Sequence, residues 1–122
     1  MYKILLIGAA GLAGTLARYW ISLAADHLWN GAFPFGTFLV NLIGCMAIGF
    51  LVHAMEDKYI VDPAVQSAVL VGLLGGFTTF SSYAFQSFNL LRGDQFFLAG
   101  ANILLSNAGG LALVWVGYAV WR

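Results

Sequence analysis

The chain has 122 residues, of which 61% are hydrophobic and only 8% are charged, and its formal net charge is zero. A soluble domain usually carries about 25% charged residues, so this chain has too few to solvate a globule of its size. In a lipid bilayer, by contrast, the outer surface of a protein is apolar. The composition therefore predicts an integral membrane protein, and it excludes the basic surface that would bind nucleic acid.

Four apolar runs divide the sequence. A membrane-spanning helix needs roughly 20 mainly apolar residues, and the runs that meet this length lie at about 4–25, 36–55, 64–91 and 95–121. They leave room for little else, so we interpret residues 1–122 as one all-α transmembrane domain. A cleaved signal peptide is the alternative for the first run, but a signal h-region is shorter, with about 7–15 residues.

The breaks between the runs contain turn residues and charges. The break at 26–35 contains Asn30-Gly31 and Pro34, which are turn residues. The break at 56–63 ends on Asp62 and Pro63, where Asp62 is a favourable N-cap and Pro63 a favourable first helical residue. The last break, at 92–94, is short and predicts a tight hairpin between the last two spans.

The basic residues are divided almost evenly between the two sides of the membrane. Lys3, Lys58 and Arg122 fall on one side, and Arg92 falls on the other, together with Arg18 if its side chain reaches the nearer interface. An excess of basic residues on the cytoplasmic side sets the orientation of a membrane protein. Because the excess here is small, we predict that the chain inserts into the membrane in both orientations. Because four helices have too little circumference to enclose a polar pathway, we expect an antiparallel (dual-topology) homodimer of eight helices.

Ionisable groups are absent from the middle of the runs. The acidic residues all lie in the breaks and neither histidine lies deep in a span: Asp26, Glu56, Asp57, Asp62, Asp94, His27 and His53. Proton-coupled transporters use intramembrane carboxylates or histidines as relays, which argues against a small exporter of the multidrug-resistance type. The sequence also contains no nucleophile–base pair or metal-ligand cluster, so we predict that the protein is not an enzyme.

Neutral polar residues remain inside the spans. Asn102, Ser106 and Gly110 recur at i, i+4 and i+8 and share one face of the fourth helix, and Asn41 lies in the second span. Such groups offer hydrogen-bond donors without a fixed charge, which suits a small, strongly hydrated anion. The alternative is that they only hold helices together.

The centre of the third run, Gly75 to Tyr83, predicts a helix break. Two adjacent glycines followed by the β-branched Thr78 and Thr79 make a poor helix interior. A break at mid-membrane frees backbone carbonyls, which must be buried, hydrated or bound to a cation. Phe80 and Tyr83 share one helix face, where their electropositive ring edges either meet an anion or simply pack.

These segments resemble the Fluc-type fluoride channels, the CrcB family. The resemblance rests on the third-span motif at 75–81 (GGFTTFS), the second-span motif at 36–41 (GTFLVN) and the first-span motif at 17–19 (ARY). It covers essentially the whole chain, including the four-span layout and the loop lengths.

The resemblance implies a dual-topology homodimer with two antiparallel pores in the bacterial inner (plasma) membrane. It implies passive export of fluoride, which lowers cytoplasmic fluoride and its toxicity. It also implies a structural sodium ion (Na+) at the dimer interface, held by the backbone carbonyls of Gly75 and Thr78 and not transported. By motif position, Arg18 belongs to the vestibule, and the pore residues are Phe80, Tyr83, Asn41, Asn102, Ser106, Ser81 and Thr79.

Two residues depart from the family pattern. Tyr83 stands where the family usually has a second phenylalanine, and its hydroxyl would bind the anion, bind water or point away. Gly110 stands where many members carry serine, which makes that end of the fourth span less polar. Two alternatives to a fluoride channel remain at this stage, namely the proton-driven exporter and an assembly subunit with no transport of its own.

Overall fold

The computed structural model describes residues 1–57 and 62–120. Within these residues four helical spans are long and apolar enough to cross a membrane, as the sequence predicts. Lys58 and Arg122, which entered the topology prediction, lie outside the described residues, as does Trp121 at the end of the fourth predicted run. The unbroken spans are α1 (Tyr2–Leu28), α2 (Phe35–Asp57) and α6 (Phe96–Ala119).

The third span, Pro63–Arg92, is interrupted. Thr78 and Thr79 between its two halves have extended backbones, with φ/ψ of −90°/157° and −150°/115°. The predicted helix break is therefore present, and it falls on the two β-branched residues. The helical pieces in chain order are α3 (Pro63–Ser67), a π-helical segment (Ala68–Leu74), α4 (Gly75–Phe77) and α5 (Phe80–Arg92).

Glycines allow the spans to pack closely in two pairs. A Cβ atom on Gly49 of α2 would collide with the carbonyl oxygen of Val114, and one on Gly117 of α6 would collide with that of Met46. In the other pair, α1 packs against the π-helical segment and α4, where a Cβ atom on Gly76 would lie 2.6 Å from the carbonyl oxygen of Gly11. Small residues at these contacts let backbones approach, which is how helices associate in lipid.

The α1–α2 connection sets where α2 begins. Asp26 near the end of α1 accepts a hydrogen bond at 2.7 Å from the backbone N–H of Gly36, so a tertiary carboxylate caps the new helix. Trp29 stacks on Phe35, with ring centroids 4.9 Å apart. This anchoring at the start of α2 positions Asn41, which follows Phe35 by six residues in the same helix.

The α5–α6 hairpin is tight, as predicted. Asp94 adopts a positive φ of 57°, a conformation that aspartate tolerates better than most residues. The backbone N–H of Gln95 donates to the carbonyl of Leu90 at 2.9 Å, which closes the turn. The hairpin brings α6 back along α5 and places its polar residues beside those of the broken span.

We expect Gly117→Ala to lower the thermal stability of the detergent-purified protein. The added methyl group meets the α2 backbone at Met46, and such overpacking typically costs about 1–3 kcal/mol. Gly100→Ala in the same helix is the control, because a Cβ atom there has no neighbour within 4 Å. Equal unfolding temperatures for the two variants would contradict the close α2–α6 contact.

Candidate functional site

A cleft of about 430 Å³ opens beside the helix break, between α2, the third span and α6. Its lining carries neutral polar groups among apolar ones, and none of its described residues is acidic, basic or histidine. The lining residues are Asn41, Gly44, Cys45, Ile48, Leu70, Leu74, Gly75, Thr78, Thr79, Phe80, Tyr83, Ser106 and Asn107.

Asn41 pairs with the extended backbone at the break. Its Nδ2 donates to the carbonyl oxygen of Thr79 at 3.0 Å, and its Oδ1 accepts from the N–H of Thr79 at 2.8 Å. The side-chain amide thus satisfies both backbone groups of one residue, as a neighbouring strand would. Unpaired backbone groups in the membrane cost several kcal/mol each, so this pair stabilises the break.

The break leaves the carbonyls of Gly75 and Thr78 without their helical donors. In a continuous helix the Gly75 carbonyl would accept from the N–H of Thr79, and the Thr78 carbonyl from that of Ser82. Here the Thr79 N–H donates to Asn41 and the Ser82 N–H donates to Thr79 Oγ1 at 3.3 Å. Gly75 and Thr78 are the two residues whose carbonyls the family resemblance assigns to a cation.

Arg18 contacts the break from α1. Its Nε donates to the carbonyl oxygen of Gly76 at 3.1 Å, the oxygen that would accept from the N–H of Phe80 in a continuous helix. Arg18 is half-buried and does not line the cleft. The Arg18 guanidinium therefore contacts the broken helix at Gly76 and not the lining of the cleft.

The two helix ends at the break have opposite polarity. The first half of the span ends at Phe77 with its carbonyls pointing forward, and α5 begins at Phe80 with its N–H groups pointing back. Carbonyl ends favour cations and N–H ends favour anions. Thr79 caps α5, because its Oγ1 accepts from the Ser82 N–H. The same Oγ1 lies 3.4 Å from Ser81 Oγ, so Ser81 is next to the break, although it does not line the cleft.

The two aromatic residues after the break lie side by side. The ring centroids of Phe80 and Tyr83 are 5.5 Å apart with an interplanar angle of 49°, and both rings line the cleft. Phe80 is 78% exposed on the chain. The expected pairing of these residues on one face is thus present.

Asn102 lies behind the cleft rather than in its lining. It is 1% exposed, and its Nδ2 donates to Ser87 Oγ at 2.9 Å. Ser106, which does line the cleft, donates to Asn102 Oδ1 at 3.3 Å. The pore role of Asn102 stays a prediction, and its bonds to Ser87 and Ser106 make Asn102 a support for Ser106.

Two polar residues outside the predicted site belong to the same network. Ser87 donates to the carbonyl of Tyr83 at 2.8 Å and accepts from Asn102, and Asn107 donates to the hydroxyl of Tyr83 at 3.0 Å. Ser87 follows Tyr83 by four residues and so shares its helix face. That spacing is a signal by which the sequence could have associated them.

In the part of the chain that the structure describes, no side-chain metal site accompanies the break. Within residues 1–57 and 62–120, no group of three or more histidine, cysteine, aspartate or glutamate residues is placed to hold a metal ion. Backbone carbonyls are hard oxygen ligands that suit alkali cations in membrane proteins. A cation at this site would therefore depend on the carbonyls that the break releases.

We expect Asn41→Leu to lower the free energy of unfolding, because it removes both partners of Thr79. Each backbone group left unsatisfied costs about 1–3 kcal/mol. Thermal unfolding in detergent measures the effect, and Asn89→Leu, an exposed position near the end of α5, is the matched control. A variant that unfolds at the temperature of the control would show that the pairing contributes nothing.

Comparisons with known proteins agree in pointing to one family. The family model described as CrcB-like protein, Camphor Resistance (CrcB), matches residues 5–118. A fluoride-specific ion channel FluC of Nitratidesulfovibrio vulgaris (strain Miyazaki F) is 40% identical, with 100% of this chain and 98% of the relative covered. The protein of the same name from Maridesulfovibrio salexigens is 38% identical over 100% of this chain and 97% of its own length. The chain belongs to the CrcB family.

Proposed function

We propose that the protein is a fluoride-selective ion channel that allows passive export of fluoride and so lowers its cytoplasmic concentration and toxicity. The chain is a multi-pass membrane protein of an ion-channel family, not an enzyme family. The observation that carries the proposal is the cleft at the helix break, lined by uncharged donors and aromatic rings. Relatives that match the whole chain are named fluoride-specific ion channels.

The chemistry of the cleft suits a small anion in transit. Fluoride holds its water tightly, so a pore must replace that shell with other donors. The ring edges of Phe80 and Tyr83 would supply part of it. The hydroxyls of Thr79 and Ser106 would add to it when they rotate away from their partners Ser82 and Asn102. Conduction requires several weak sites rather than one tight site, and the described lining has no cationic side chain that would trap the ion.

The residues at the break fit a structural sodium ion. The carbonyls of Gly75 and Thr78 would hold it, because both have lost their helical donors to other groups. Gly75 is exposed, and a Cβ atom there would have no neighbour within 4 Å, so its backbone is open to a second copy. When bound, the ion would supply positive potential over a long range in the low-dielectric interior without lying in the anion path.

An antiparallel homodimer would complete the site. Phe80 and Gly75 are exposed on the chain, and carbonyls at mid-membrane cannot face lipid. A second, inverted copy would cover them and supply the matching carbonyls for the same ion. Arg18 would then hold the vestibule side of the broken helix through its bond to Gly76. The dimer would lie in the bacterial inner (plasma) membrane.

Fluoride efflux from liposomes that contain only this protein tests the function. We expect passive fluoride efflux without a proton gradient, little chloride efflux, and loss of fluoride efflux when sodium is removed from both sides. Efflux that needs a proton gradient would instead identify a small exporter of the multidrug-resistance type. No efflux under any condition would favour an assembly subunit and would overturn the channel proposal.

We expect Phe80→Ile to lower fluoride efflux at least tenfold while the protein stays folded, because isoleucine has no electropositive ring edge. Tenfold corresponds to about 1.4 kcal/mol in barrier height. Phe85→Ile is the control, since Phe85 is an exposed phenylalanine of the same helix outside the cleft lining. Unchanged efflux in the Phe80 variant would remove this ring from the ion path.

A further inference from the structure

Tyr83 and Asn107 form a hydrogen bond across the cleft, from α5 to α6. Asn107 Nδ2 lies 3.0 Å from the phenolic oxygen of Tyr83, and both residues line the cleft. Tyr83 is half-buried and Asn107 is exposed within the chain. The hydroxyl therefore stands at the surface of the proposed ion path, with a defined partner.

The direction of this hydrogen bond follows from a second contact. Asn107 Nδ2 also lies 2.7 Å from the backbone carbonyl oxygen of Ile103. A carbonyl oxygen only accepts, so the amide atom facing Ile103 must be the NH2 group rather than the oxygen. The usual ambiguity of an asparagine amide is thereby removed, and the second proton of Nδ2 is the one that points at Tyr83.

The hydroxyl of Tyr83 consequently acts as an acceptor towards Asn107. A phenol has one proton to donate and can accept at the same time. Because Asn107 occupies an acceptor position on the oxygen, the phenolic proton points away from Asn107, and the cleft that both residues line has room for an acceptor. A donor that itself accepts a hydrogen bond is also polarised and strengthened as a donor.

We infer that the Tyr83 hydroxyl donates a hydrogen bond to fluoride in the cleft, and that Asn107 is a positioning residue that orients this donor. This inference rests on the proposed channel function and adds a hydroxyl ligand to the ring edges of Phe80 and Tyr83. A hydrogen bond to an anion is shorter and roughly twice as strong as one between neutral groups. Since the bond favours small, hard acceptors, Tyr83 contributes to the selection of fluoride over larger halides.

Tyr83→Phe tests the donor directly, because it removes the hydroxyl and keeps the ring beside Phe80. We expect the fluoride concentration for half-maximal efflux to rise about tenfold, the lower end of what a hydrogen bond to a charged group contributes, and fluoride-over-chloride selectivity to fall. Tyr118→Phe is the control, since its hydroxyl donates to Glu56 Oε2 at 3.1 Å outside the cleft. Unchanged half-saturation and selectivity in Tyr83→Phe would overturn the inference.

Asn107→Leu and the double variant test the positioning role. We expect Asn107→Leu to raise half-saturation by a smaller factor than Tyr83→Phe, and to have no further effect in the Tyr83→Phe background, because Asn107 acts through the hydroxyl. Equal effects of Asn107→Leu in both backgrounds would show that it acts independently of Tyr83. Fluoride efflux by the unmodified protein is measured in parallel, so that failure of the channel proposal is distinguished from failure of this inference.

Discussion

The paired hydrogen bonds between Asn41 and Thr79 are the interaction on which the rest of the site depends. A helix broken in the membrane exposes backbone groups that lipid cannot satisfy, and here one side-chain amide satisfies both groups of the central residue. Because Asn41 takes the Thr79 N–H, the Gly75 carbonyl loses its helical donor. The same bond that stabilises the break therefore creates the oxygen that a cation would bind, which couples the fold to the proposed chemistry.

The spans α1 and α2 both hold the break in place. Arg18 of α1 supplies the donor that the Gly76 carbonyl has lost, and the glycine contact between α1 and α4 brings that arginine close enough to do so. On the opposite side, α2 packs tightly on α6, and its first turn is capped by Asp26. Asn41 thus arrives at a fixed depth on a helix that is anchored at its start and along its length.

The polar network of the cleft has two layers. Ser106 and Tyr83 face the open space, whereas Asn102 and Ser87 bond to them from behind. A buried network with satisfied partners is rigid, so the donors in front are held in place before an ion arrives. Preorganised donors lose little conformational entropy on binding, so an arriving ion does not have to order them.

The sequence by itself determined the spans, the break and the neutral character of the site. Four runs of apolar residues have the length of the bilayer, and Gly75-Gly76 followed by Thr78-Thr79 has a low intrinsic propensity for a continuous helix. The i, i+4 spacing places Asn102 and Ser106 on one helix face. This spacing does not say which of the two faces the neighbouring helix and which faces the cleft. Only the tertiary structure decided that Asn102 lies behind Ser106, that Arg18 contacts the Gly76 carbonyl, and that Asn107 meets the Tyr83 hydroxyl. Arg18 and Asn107 each reach a residue of another helix, and the position of Asn102 behind Ser106 is set by its bond to Ser87 of α5. Such contacts depend on how the spans pack, which local sequence does not determine.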